Sequence, residues 1–444
     1  MTRVPLGRLS MVWRPTILIV LASVAAVLWV HRVHPVWFVP PIVHIDPWLY
    51  WGTGEDFGYL GEHWGSTYYF RRWTLVLPNY IFQHLLSPYD AQFALRSALF
   101  FGVCLFSGLF TFRLTGARSA ALLTIYGFTY PDFLVRSIGL SYNQGTGLLL
   151  FFAAAWLVMR MSAPSARALG RVGQGVAIGA VLGLLFVTYP WTLYLWFTFG
   201  VLGLFQVASW SGPRSERLVS LGLVLAGAAI GFALIVALDL QVARIFGVRW
   251  PNVVTYAFDV GKGLTSGKGI APADFLVKQV LTSSSYALIG VVVAGVLFVF
   301  GKRLLPGGIP LAWTLLVLSA TYLLDPWTKA NSHFVMQTII YLTALLIVAV
   351  AVLFASAFNN AWQQGSMPMR LITVAALSVV GVLWWRQMGP WTAVNWWVPV
   401  TAAAIAVPLQ GVVRLLTERR IVWTVVLVLA STSSALALAT TLSI

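Results

Sequence analysis

An all-α bundle embedded in a lipid bilayer is the fold class the sequence predicts, on three grounds: hydropathy, the length of its apolar runs, and the distribution of its charges. The 444 residues are 59% hydrophobic and 9% charged, with a mean hydropathy of +0.85. That leaves too little polar surface to coat a water-soluble particle of this size. Apolar runs of about 17 to 25 residues recur along the chain, the length a helix needs to cross a hydrocarbon core of about 30 Å. The ten-residue alternation of an outer-membrane barrel is absent, and only helices and closed barrels leave no unpaired amides in lipid. Thirteen spans are expected, at 12–31, 92–113, 118–130, 143–160, 173–189, 191–209, 218–239, 283–300, 309–325, 335–357, 370–385, 394–414 and 421–441. The third is short for a crossing.

The first span follows Arg3, Arg8 and Arg14, and no small-x-small cleavage site precedes the polar stretch after it, so it reads as a retained signal anchor. With the N-terminus inside, the inner segments hold 16 of the 28 basic residues, from Arg3 through Arg113, Arg160, Arg214 and Arg303 to Arg420. They hold two of the twelve carboxylates, Glu216 and Glu418. The other ten, with all six histidines, fall on the outer side or at its interface. This is the asymmetry that orients membrane proteins. It also accounts for the net charge of +16 as topology signals, without a nucleic-acid partner. The one cysteine, Cys104, lies in an apolar run, which excludes an intramolecular disulfide and disfavours a reactive thiol.

The long connections, 32–91 and 240–282, are both outer, and a long loop in a compact bundle is usually functional. Within the first, 72–86 is apolar but short and contains Pro78, and reads as an interfacial helix. Asp46, Glu55, Asp56 and Glu62 supply carboxylates there, His44, His63 and His84 imidazoles, and Arg71 and Arg72 guanidinium groups. Carboxylates can deprotonate a hydroxyl nucleophile, and arginine forks bind phosphate bidentately. The aromatic residues of the loop suit either a sugar site or an interfacial belt. Asp46 follows a run of Val, Pro and Ile, a poor place for casual solvation, and on a short helix it shares a face with Tyr50.

These residues resemble the polyprenyl-phosphate-sugar-dependent glycosyltransferases of the GT-C membrane fold, such as protein O-mannosyltransferases and lipid A aminoarabinose transferases, over roughly residues 10–360. In that family the first outer loop opens with an acidic D-E-x-x-Y-like motif, here Asp46-Pro47-Trp48-Leu49-Tyr50. It closes with a basic residue near a proline, here Tyr68-Tyr69-Phe70-Arg71-Arg72 before Pro78. The resemblance implies Asp46 as general base toward the acceptor hydroxyl and a thirteen-span layout. Pro47 stands where many members carry a second acid, with Glu55 and Asp56 close behind. A divalent metal is therefore left open. Arg71, Arg72 and Arg136 are expected at the donor phosphate from their chemistry and outer placement, and the resemblance adds Lys329, in DPWTKANSH before a long apolar span where family members place basic residues. Tyr50, Glu55, Asp56, His63, Tyr68, Tyr69 and His333 are expected around the substrate. The segment GKGLTSGKG at 261–269 fails the P-loop spacing and carries Gly269 where Ser or Thr is required.

Residues 1–360 are expected to form the catalytic transmembrane module, including outer loop 32–91, and 361–444 the C-terminal transmembrane helices. The expected protein is a multi-pass enzyme of the plasma (inner) membrane, with a cytoplasmic N-terminus and an extracytoplasmic active site. It would move a monosaccharide from a polyprenyl-phosphate lipid to a glycan, lipid or protein acceptor. A lipid-linked glycan polymerase or ligase, whose chemistry usually sits in a late outer loop, and a transporter or flippase are the alternatives.

Overall fold

The structure, a computed structural model, describes residues 6–33, 50–52, 56, 63, 72–129, 132–139, 143–161, 167–245, 253–255, 287–300, 305–324 and 332–364. Among these there is no strand. The helices are α1 (Leu6–Val33), α2 (Trp73–Leu85), α3 (Pro88–Thr115), α4 (Arg118–Phe128), α5 (Asp132–Gly139), α6 (Asn143–Met159), α7 (Ala168–Thr188), α8 (Leu195–Ala208) and α9 (Arg214–Ile245). They continue with α10 (Ala287–Val299), α11 (Gly308–Leu324) and α12 (Ser332–Gln364). Four of them, α1, α3, α7 and α9, are long and apolar enough to cross a membrane. Ten of the thirteen expected spans coincide with helices, and the last three lie outside the described residues. The third expected span ends early, at Phe128, and α5 follows as a separate eight-residue helix.

Local chemistry sets these ends. Ser87 caps α3, its hydroxyl accepting from the Asp90 amide at 3.3 Å and donating to the Asp90 carboxylate at 2.6 Å, with Pro88 in the first helical turn. At the far end Gly116 takes a left-handed φ of 69° and closes on Phe112 through a 2.7 Å backbone bond, turning the chain sharply into α4.

Around α3 pack α1, α2, α4, α5, α6 and α12, and the aromatic core lies where α3, α4 and α6 meet. Phe128 meets Phe152 edge-on at 5.6 Å, and Phe151 meets Phe152 at 5.2 Å. Cys104 is buried in the same core. The closest helix pair is α7 with α9. Gly175 and Gly179 of α7 face Gly227 and Gly231 of α9 so tightly that a Cβ on any of the four would overlap the opposing backbone. Small residues at four-residue spacing let helices approach in lipid, where burial of apolar surface gives no drive to associate.

Hydrogen bonds fix which helix ends share a side. Arg113 Nε donates to the Met159 carbonyl at 3.0 Å, and Gln206 Nε2 to that of Met161 at 3.1 Å. Leu305 N donates to Ser356 Oγ at 3.2 Å, and Arg171 donates to Ser220 Oγ. This basic end also carries Arg118, Arg160, Arg167, Arg214 and Arg217, with Glu216 as its one carboxylate among the described residues. The opposite, loop end carries Asp56, Asp90, Asp239, His31 and His84. It also carries Arg32, Arg72, Arg96, Arg136 and Arg244, so among the described residues the carboxylates gather at the loop end while the arginines occupy both ends, more of them the basic one. The loop end also holds α2, whose 13 residues cover about 20 Å, too short to cross. Pro78 does not break this helix, which lays Trp73, Leu75, Val76 and Asn79 inward against α3 and α7.

Candidate functional site

Tyr50 lies in the helical residues 50–52 and is buried. Arg72 is the N-cap residue of α2, and its carbonyl accepts from the amides of Leu75 and Val76 at 2.9 and 3.0 Å. Its side chain turns into the protein, 5% exposed. The guanidinium donates to the Tyr50 hydroxyl and lies 5.8 Å from the Tyr50 ring centre and 5.7 Å from that of Tyr189, which follows the last turn of α7. A cation faced by two aromatic rings is stabilised electrostatically without losing its charge.

Beneath this pair, three amide side chains tie the segments together. Asn79 Nδ2 donates to the Tyr50 carbonyl at 2.6 Å, and its Oδ1 accepts from Gln92 Nε2 at 2.5 Å and Gln83 Nε2 at 3.1 Å. Gln83 also donates to the Trp51 carbonyl at 3.1 Å. Gln92 is buried on α3, and one turn on stands Arg96, 0% exposed. At the rim, His31 of α1 stacks on Phe93 at 4.2 Å and shares a 2.8 Å hydrogen bond with Ser97 Oγ.

Beside Arg72 a second set of contacts joins α2 to α7 and α9. The Trp73 indole N–H donates to Asp239 Oδ1 at 3.1 Å, and the Val253 amide donates to Asp239 Oδ2 at 2.9 Å. Thr74 and Thr188 hydroxyls bond at 2.8 Å. The turn at 50–52, α2, α3, the ends of α7 and α9 and the turn at 253–255 therefore meet at the loop end.

Of the residues expected from the sequence, Tyr50 and Arg72 are brought into contact. Asp56, His63 and Arg136 are exposed, the last on α5. His333 lies in the first turn of α12. Its side chain, and Asp46, Glu55, Tyr68, Tyr69, Arg71 and Lys329, lie outside the described residues. Among those described, no three of His, Cys, Asp and Glu group as metal ligands. Tyr189, Asn79, Gln92, Arg96 and Asp239 were not expected. The sequence did hold a signal for two of them: Arg96 and Asp239 each stand alone at the edge of an apolar run, and an ionisable side chain in a membrane helix marks a functional position. No family model, curated protein or solved structure matches the chain.

The arrangement supplies a fixed guanidinium in a mostly apolar setting. A planar fork there matches phosphate oxygens, and low polarity strengthens the pairing. The amide network beneath it restrains the turn that carries Tyr50.

Proposed function

We propose that the chain is a glycosyltransferase that moves a monosaccharide from a polyprenyl-phosphate donor to a hydroxyl of a cell-envelope glycan, lipid or protein. The observation that supports this reading is Arg72, a buried guanidinium set among tyrosine rings at the loop end, in the same sequence segment, 32–91, as Asp46. The donor is a phosphodiester with one negative charge, and the departing polyprenyl phosphate carries a second. A fixed guanidinium favours that gain of charge, and so favours the transition state over the bound donor. Asp46 takes the proton from the acceptor hydroxyl as its oxygen attacks the anomeric carbon. The bond from that carbon to the phosphate oxygen breaks with inversion, and Arg72, with Arg71, Arg136 or Lys329, receives the phosphate. The reading places thirteen spans in the plasma (inner) membrane, N-terminus in the cytoplasm and loop end outside, in keeping with the basic opposite end.

Purified protein in proteoliposomes tests it. The wild type should transfer sugar from a polyprenyl-phosphate monosaccharide to an envelope acceptor fraction, and Asp46→Asn should abolish transfer while expression and folding persist. Near-normal turnover in that variant removes Asp46 from the chemistry.

A transporter reading draws on a different observation. The hydroxyls of Thr146, Thr198, Ser319 and Thr343, on α6, α8, α11 and α12, are buried with no hydrogen-bond partner among the described residues. Polar groups of that kind can line a path through a bundle. Uptake of substrate by proteoliposomes without chemical conversion would favour it.

A further inference from the structure

Asp239 is 0% exposed, near the end of a helix that is otherwise apolar across most of its length. From Arg214 at the basic end to Asp239 the helix rises about 38 Å, which puts the carboxylate just past a hydrocarbon core of about 30 Å. A buried carboxylate at that depth is costly unless both oxygens are hydrogen-bonded. Each oxygen takes an N–H from a different segment. Oδ1 accepts from the Trp73 indole on α2, and Oδ2 from the Val253 amide in the second long loop. The Trp73 ring is held in place by its own apolar cluster with Phe186, Val187 and Val253.

We infer that Asp239 is a positioning residue for the donor-phosphate site: by clamping Trp73 it fixes where α2 begins, and thereby the direction of the Arg72 guanidinium. This rests on the glycosyl-transfer reading. Arg72 and Trp73 are consecutive, with Cα atoms about 3.8 Å apart across the peptide. Arg72 is the last residue before the helix, with φ −92° and ψ 46°, so its side-chain direction follows from the placement of the first helical turn. One tie, Trp73 to Asp239, holds that turn from the α9 side. The other, Arg72 to Tyr50, holds it from the first loop. The same carboxylate holds the Val253 amide, so the two long loops are joined through one side chain.

The test compares Trp73→Phe, which keeps the ring and loses the N–H, with Asp239→Asn, which replaces one acceptor oxygen by a donor facing an N–H. Binding of radiolabelled polyprenyl phosphate in nanodiscs, steady-state turnover, and hydrogen exchange at the amides of 73–80 are read together. Each variant should weaken polyprenyl-phosphate binding and raise the donor KM by about tenfold, the cost of a lost hydrogen bond to a charged group. The kcat should fall as well, because a misdirected Arg72 holds the departing phosphate least well when its charge is greatest. Exchange at 73–80 should rise, with α3 and α6 unchanged. The double variant should bind no worse than the weaker-binding single variant, since both act through the contact of Trp73 with Asp239. Faster exchange at 73–80 with unchanged binding makes Asp239 a structural staple and overturns the inference. So does unchanged exchange. Wild-type protein that binds no polyprenyl phosphate overturns the glycosyl-transfer reading and this inference with it. Wild-type binding matched by both variants overturns the inference alone.

Discussion

Arg72 combines charge, planarity and a fixed direction, and a lysine in its place would keep only the first. Arg72→Lys retains the positive charge but loses the fork and the flat face that lies against Tyr50 and Tyr189. The donor KM of that variant should rise by about tenfold or more, with kcat falling as well, because the phosphate is then held least well when its charge is greatest. Tyr50→Phe removes one hydrogen bond to the guanidinium and should cost about 1.5 to 3 kcal/mol, seen as a lower melting temperature in detergent. Both residues were legible in the sequence because the first loop concentrates polar and aromatic groups that lipid would not hold. Arg96 and Asp239 gave only an ambiguous signal, for a physical reason. Each lies within a turn or two of the end of an apolar run, where a charge also serves as a snorkelling interfacial residue. Only packing distinguishes the two cases, and here packing buries both. Asn79 and Gln92 gave no signal at all, since neutral amides neither orient a span nor interrupt its hydropathy.

Among the helices, hydropathy and the length of the apolar runs located the elements, while their ends depended on local chemistry. The expected span at 92–113 is a helix from Pro88 because Ser87 caps it four residues earlier than hydropathy indicates. The short expected span at 118–130 gives way to α4 and α5, since eleven residues rise only about 17 Å, roughly half a hydrocarbon core. The pairing of α7 with α9 shows what glycine does inside a membrane helix. Gly227 and Gly231 remove the Cβ atoms that would hold the backbones apart. Gly227→Leu should force the pair apart, lower the melting temperature by several degrees and reduce the monodisperse fraction in size-exclusion chromatography. Gly222, on the same helix with open space around its Cα, should accept Ala with no loss. Because α9 carries Asp239, the Gly227→Leu variant should also bind polyprenyl phosphate less well. Gly222→Ala should bind as the wild type does.

For the whole molecule, the question with most consequence is which end faces the cytoplasm, because a polyprenyl-phosphate sugar donor used outside the cell requires the loop end to be outside. The basic end holds its arginines together in the fold, at Arg113, Arg118, Arg160, Arg167, Arg171, Arg214 and Arg217, and the proposed reading expects that end in the cytoplasm by the positive-inside rule. The chain is well suited to a direct test. Its one cysteine, Cys104, is buried in the core, so a single change, Cys104→Ala, gives a background without reactive thiols. Two exposed positions then report on opposite ends: Tyr89 in the first turn of α3 at the loop end, and Ser211 between α8 and α9 at the basic end. In intact cells a membrane-impermeant maleimide should label Tyr89→Cys and leave Ser211→Cys untouched, and permeabilisation should expose the second. The opposite pattern would put Arg72, Asp239 and the first loop on the cytoplasmic side, where sugar nucleotides are available as donors. That would remove the reason to expect a lipid-linked sugar as donor. Equal labelling of both positions in intact cells would mean that the alternation of helix ends does not correspond to the two sides of the membrane.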